Sequence, residues 1–143
     1  MFTVTSPATN EEFDRYYKFR WQQLRQPLQL PLGSERDQFE AEAFHRMALD
    51  QDNQIIGVGR IHLQNKTHAQ IRYMATAAGM QRHGVGSAIL IDLLAYAAEQ
   101  NIKICWLKSR EPVCAFYQTH GFEITGPADS ELPVPHVRME KRL

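Results

Sequence analysis

The chain has 143 residues, which suits one domain with one sizeable core. Hydrophobic residues make up 43% and charged residues 22%, the composition of an ordinary globular domain. The 16 Lys and Arg balance 16 Asp and Glu, and this zero net charge argues against broad nucleic-acid binding, which needs a basic surplus to displace counterions. The start, MFTVTSPATN, lacks the basic and long apolar regions of a secretory signal. No run of about 18 apolar residues spans a membrane, so a cytoplasmic protein is expected.

MFTVTS has the β-branched and aromatic content of a first strand. ATNEEFDRYYKFRWQQLRQ reads as a helix: Thr9 or Asn10 can cap it, Glu11 and Glu12 suit its first turn, and Phe13, Tyr16, Tyr17 and Trp21 lie near helical spacing. Its interleaved rings and basic residues suit one wall of a binding pocket better than a nucleic-acid surface. Pro27 and Pro31 break the chain, and GSERDQFEAEAF offers Ser34 as the cap of a short polar helix. HRMALD, QIIGVGRIHL and AQIRYMAT follow as strands joined by short turns, which forces antiparallel pairing.

The periodicity then changes. GVGSAILIDLLAYAAEQ is a helix of roughly 16 residues, apolar except for a thin stripe of Ser87, Asp92 and Glu99, and therefore packed on a sheet. IKICWLKS is a strand free to lie parallel to AQIRYMAT because a helix intervenes. PVCAFYQTH is a short helix begun at Pro112 and ended by Gly121. GFEITG and PHVRMEKRL are the last two strands. The expected fold is α/β (α+β): one domain over 1–143, with a mixed, mostly antiparallel sheet of about seven strands flanked by helices.

Cys105 and Cys114 are too few for a disulfide framework and lack CxxC spacing, so they read as small buried apolar residues. The six histidines are scattered without ligand spacing, and no metal is expected.

MQRHGVGSAIL places Gly84 and Gly86 where a helix begins. A helix mouth has free N–H donors and about half a positive charge, and an anion fits there if the backbone can approach it. Glycines permit that approach and unusual φ angles. Arg82 and His83 add charge; Gln81 and Ser87 add hydrogen bonds. The same glycines can also do no more than form a tight strand-to-helix turn. A dinucleotide fingerprint is disfavoured, because Ile89 stands at the third glycine position and the loop follows the fourth strand. No Walker motif is present.

QRHGVGSAIL resembles the acyl-CoA signature Q/R-x-x-G-x-G/A of the GNAT superfamily of N-acetyltransferases, with Gln81, Arg82, His83, Gly84, Val85 and Gly86 in order. IRYMAT is similar to the family strand before that loop, and CAFYQTHGFEITG to its FY…GF segment. The first 65 residues carry less of the likeness, as suits a variable acceptor-binding half.

The resemblance implies acetyl-CoA as donor and a splayed parallel strand pair at the acyl-CoA site. It places the diphosphate on Arg82 to Ser87 with Gln81 assisting, and the pantetheine arm along Met74, Ala75 and Thr76. Backbone N–H groups near Met74 or Ala75 would hold the thioester oxygen. It implies direct attack by a primary amine of a small molecule or peptide, and Tyr117 as the acid that protonates the leaving thiolate. Neutralising a lysine-like amine at pH 7 costs roughly 4–5 kcal/mol, so a base would help. Glu35, Glu42, His45, His62 and His136 are the candidates, with a water relay as an equal alternative; Arg72 is either a solvated strand residue or an acceptor anchor. Direct transfer needs no cysteine nucleophile. Two readings compete: a non-catalytic acyl-CoA-binding sensor or interaction module, and a nucleotide-binding regulatory domain. Neither nucleic acid nor membrane is an expected partner, and edge-to-edge pairing into a homodimer stays open.

Overall fold

A computed structural model describes residues 1–130 and 132–143. Its seven strands form one sheet: β1 (Thr3–Thr5), β2 (Phe44–Leu49), β3 (Ile55–Leu63), β4 (His68–Thr76), β5 (Ile104–Arg110), β6 (Glu123–Ala128) and β7 (His136–Arg142). The helices are α1 (Asn10–Leu24), α2 (Val85–Glu99) and α3 (Cys114–Gln118). Strand order is β1-β2-β3-β4-β5-β7-β6. Every neighbouring pair is antiparallel except β4 and β5, which run parallel across the α2 crossover.

Helix α1 opens with a capping box. Thr9 Oγ1 accepts the Glu12 N–H at 3.1 Å, and Glu12 Oε1 accepts the Thr9 N–H at 2.9 Å. Tyr16, Tyr17 and Phe19 then bury against Met47 and Val58 on one side of the sheet. Ile89, Leu90, Leu93 and Ala97 of α2 are fully buried in the other core, with Ile61, Ile71, Leu107 and Met139. Two strand glycines permit this second packing. A Cβ at Gly57 would stand 2.5 Å from Val85 Cγ1, and one at Gly59 would run into Met74 Sδ and Ile89 Cγ2. Side-chain-free positions in β3 thus let α2 lie close on the sheet.

The segment GSERDQFEAEAF departs from expectation. Ser34 caps no helix: its hydroxyl donates to Pro31 O at 2.5 Å, and only one 3-10 turn forms, at Glu40–Glu42. The carboxylates of Asp37 and Glu40 are drawn into arginines of the sheet and of α1, which overrides the local helical preference. The helix begun at Pro112 is likewise split, with a 3-10 turn over Glu111–Val113 leading into α3. Among the described residues no helix is long and apolar enough to cross a membrane.

Candidate active site

The parallel pair is joined over only three residue pairs, His68 with Ile104, Ala69 with Cys105 and Gln70 with Trp106. From Ile71 onward the β5-facing edge of β4 has no strand partner among the described residues. A bulge sharpens the divergence. Val58 pairs with Ala75 and Arg60 with Arg72, so Gly59 alone faces Tyr73 and Met74, and Tyr73 takes φ +62°. Two residues opposing one bend a strand and re-aim its backbone. A cavity of about 410 Å³ fills the gap. Met74, Ser109 and Tyr117 line it, as do Arg72, Lys108 and His136, and the end of α1 at Gln23 to Arg25 forms a further wall. The aromatic-basic helix therefore contributes only its last turn to the pocket.

The glycine loop lies beside this gap. Gly84 is the N-cap of α2 at φ +82°, where a side chain would be strained although nothing lies within 4 Å to obstruct it. Gly86 is needed for another reason: a Cβ there would sit 3.3 Å from Phe116 Cζ and 3.5 Å from Thr76 Oγ1. No side chain caps the helix and its first turn holds no acid. The Ala88 N–H is the first to reach a helical carbonyl, Gly84 O at 3.0 Å, which leaves the amides of Val85, Gly86 and Ser87 ahead of it. Arg82 and His83 are exposed beside them. Gln81 and Ser87 are partly engaged elsewhere: Gln81 Oε1 accepts the Gly79 N–H at 3.0 Å, and Ser87 Oγ lies 2.9 Å from His120 Nε2. The mouth suits an anion on its unpaired donors and helix dipole.

Tyr117 lies at the cavity, wedged edge-on between Phe116 and Phe122 at 5.1 and 5.8 Å. Burial pushes its hydroxyl well above the ordinary tyrosine value, against a smaller downward pull from Arg110. The phenol therefore keeps its proton at neutral pH and stands at the cavity as a hydroxyl donor.

The five base candidates separate. Glu35 is buried, accepting the Gly33 N–H at 2.7 Å and Arg36 Nε at 3.0 Å. Glu42 is exposed. His45 donates from Nε2 to Glu40 O at 2.8 Å and accepts the Tyr16 hydroxyl on Nδ1 at 2.9 Å. His62 stacks on Phe39 at 4.2 Å and accepts Arg60 Nη2 at 3.0 Å on Nδ1. Burial holds both imidazoles below the ordinary histidine value, and Arg60 adds to the effect at His62. None of these four lines the cavity; His136 does. Its Nδ1 lies 2.8 Å from Val134 O, and since a carbonyl only accepts, Nδ1 carries the proton and the neutral ring keeps Nε2 as acceptor. Cys105 and Cys114 are buried off the cavity, and burial pushes the Cys105 thiol up to about 12.

An ion network under the site was not read from the sequence. Arg20 and Arg60 are fully buried. Arg60 binds Asp37 at 2.6 and 3.0 Å and Glu40 at 2.9 Å; Arg20 binds Glu40 at 3.0 Å; Arg72 reaches Asp37 at 3.0 Å. Burial alone would raise the Asp37 carboxyl, but hydrogen bonds from Arg60 and the Phe39 N–H, with the charges of Arg60 and Arg72, lower it to about 2. The available signal was positional. Arg20 follows Tyr16 by four residues on the core face of α1, and Arg60 alternates with Val58 in β3.

Comparison with known proteins agrees with this geometry. The family model described as acetyltransferase (GNAT) family matches residues 7–122. An uncharacterized protein of Bacillus subtilis (strain 168), YyaT, is 25% identical over 115 residues, 77% of this chain and 77% of its own. The crystal structure of an acyl-CoA N-acyltransferase from Pseudomonas aeruginosa superposes with a TM-score of 0.81 at 18% identity, covering 99% of this chain and 98% of that one. A GNAT family acetyltransferase from Elizabethkingia anophelis with acetyl-CoA bound superposes at 0.72 with 16% identity, over 99% and 98% of the two chains. At these identities the solved structures show the shared fold, while the family model reaches across the helix mouth and the Tyr117 segment. The chain belongs to the acetyltransferase (GNAT) family.

Proposed function

We propose that this protein moves an acetyl group from acetyl-CoA to a primary amine of a small molecule or peptide by direct attack. The half-open β4–β5 pair, with the Tyr117 side chain at the gap and an uncapped glycine helix mouth beside it, carries the reading. The amides of Val85, Gly86 and Ser87 hold the diphosphate, with Arg82 and His83 adding charge and Gln81 shaping the loop. The unpaired edge at Met74, Ala75 and Thr76 takes the pantetheine amides as it would take an added strand. A backbone N–H at the bulge, near Met74 or Ala75, meets the thioester oxygen as charge builds there.

The amine nitrogen attacks the carbonyl carbon; the C–N bond forms and the C–S bond breaks. Tyr117 passes its proton to the departing sulfur, and His136 Nε2 accepts the proton that the amine loses. Tyr117→Phe should lower turnover by about 100-fold while leaving acetyl-CoA affinity unchanged. Unchanged turnover would remove Tyr117 from the reaction. Calorimetric titration of CoA with no saturable heat would remove the transferase reading altogether.

A further inference from the structure

The two faces of the split sheet differ in charge. Ile71, Leu107 and Ser109 point toward α2 and α3 and are buried. The alternate residues, Gln70 and Arg72 on β4 and Trp106, Lys108 and Arg110 on β5, point to the α1 side. All five line the cavity, with Arg72, Lys108 and Arg110 as the cations among them, and Asp129 is the one acid on its wall among the described residues. Lys108 and Arg110 form no ion pair with any described residue. Arg72 shares Asp37 with Arg60, in a network where Arg20, Arg60 and Arg72 face only Asp37 and Glu40. Three guanidinium groups against two carboxylates leave one positive charge. It falls on Arg72, whose side chain is 31% exposed while those of Arg20 and Arg60 are 0%.

The glycine loop at 81–87 contributes nothing to this wall, so these cations are not spent on the donor's phosphates. Resting on the amine-transfer reading, we infer that the acceptor is an amine that also carries an anionic group, a carboxylate or a phosphate, bound by Arg72, Lys108 and Arg110. Such a wall repels polycations. It also favours the neutral form of a nearby amine, because cations around an ammonium depress its pKa while they anchor the anion.

The test is thiol release from acetyl-CoA with matched acceptors: L-phenylalanine against L-phenylalaninamide, and phosphoethanolamine against ethanolamine, with spermidine as the polycation. The anionic member of at least one pair should show kcat/KM about tenfold higher, the scale of one charge-assisted hydrogen bond. The pair in which it does so tells carboxylate from phosphate. The amide's less basic amine biases the first comparison against this result. Arg72→Gln should bring the ratio toward one with the acetyl-CoA KM unchanged; exposed Lys108→Gln should do the same, and it keeps the test valid if loss of Arg72 unfolds the chain. Spermidine as the best acceptor, equal rates within both pairs, or a ratio untouched by either variant would overturn the anionic assignment and leave acetyl transfer standing. Saturable acetyl-CoA binding with no thiol release from any amine would overturn the transfer reading, and this inference with it.

Discussion

Gly57→Ala places one methyl group where β3 meets the start of α2. Its Cβ would lie 2.5 Å from Val85 Cγ1 and 3.0 Å from Ile89 Cδ1, whereas carbon atoms prefer about 3.5–4.0 Å. Helix and strand must separate by about 1 Å. Overpacking of this kind costs about 1–3 kcal/mol, and restricting the unfolded chain returns about 0.5–1, for a net loss centred on about 1 kcal/mol. For a chain of 143 residues that is a fall in Tm of roughly 3–4 °C. Because Val85 opens α2, the displacement also moves the amides assigned to the diphosphate, so acetyl-CoA affinity should fall. Differential scanning calorimetry and CoA titration read the two effects. Gly126→Ala is the control: nothing lies within 4 Å of that Cβ, so Tm should hold or rise slightly. Equal Tm values for the two variants would refute the close-packing account of the β3 glycines.

Asp37→Asn strips a charge from four hydrogen bonds and leaves buried Arg60 short of a counterion, which should cost about 3–5 kcal/mol in urea unfolding. The folded carboxyl titrates at about 2 against an ordinary 3.8, so its contribution is complete above 3.8 and is lost as pH falls toward 2. The variant's stability should therefore fall less steeply over that acid range. Gly84→Ala meets no atom but must hold φ +82°, so it should lose about 1 kcal/mol in urea unfolding through backbone strain alone.

Local chemistry made much of the fold legible. The polar-striped run before Gln100 could only be a helix against a sheet, and the short turns among the next three strands back toward Phe44 forced antiparallel pairing. The insertion of β7 between β5 and β6 left no local trace, since it depends on pairing Ile104 with Arg142 across the length of the last third. Residues 34–42 misled because their helical look is local, while Asp37 and Glu40 answer to arginines in α1 and β3. The glycine mouth of α2 was legible through Gly84 and Gly86, which stand where the helix begins. The base candidates were not, because Glu35, His45 and His62 are polar groups satisfied inside the fold, and residue type alone does not tell such a histidine from His136 at the cavity wall.

The three-rung ladder between β4 and β5 has a mechanical consequence. It is as short as the β1–β2 ladder at the sheet's edge, but it lies in the middle of the sheet, where compliance divides the molecule. With the donor absent, peptide groups on the open side of Ile71–Thr76 face solvent, and their deuterium uptake should be fast. An arm laid along that edge would supply the missing rungs, so the donor itself would stiffen the molecule across its middle.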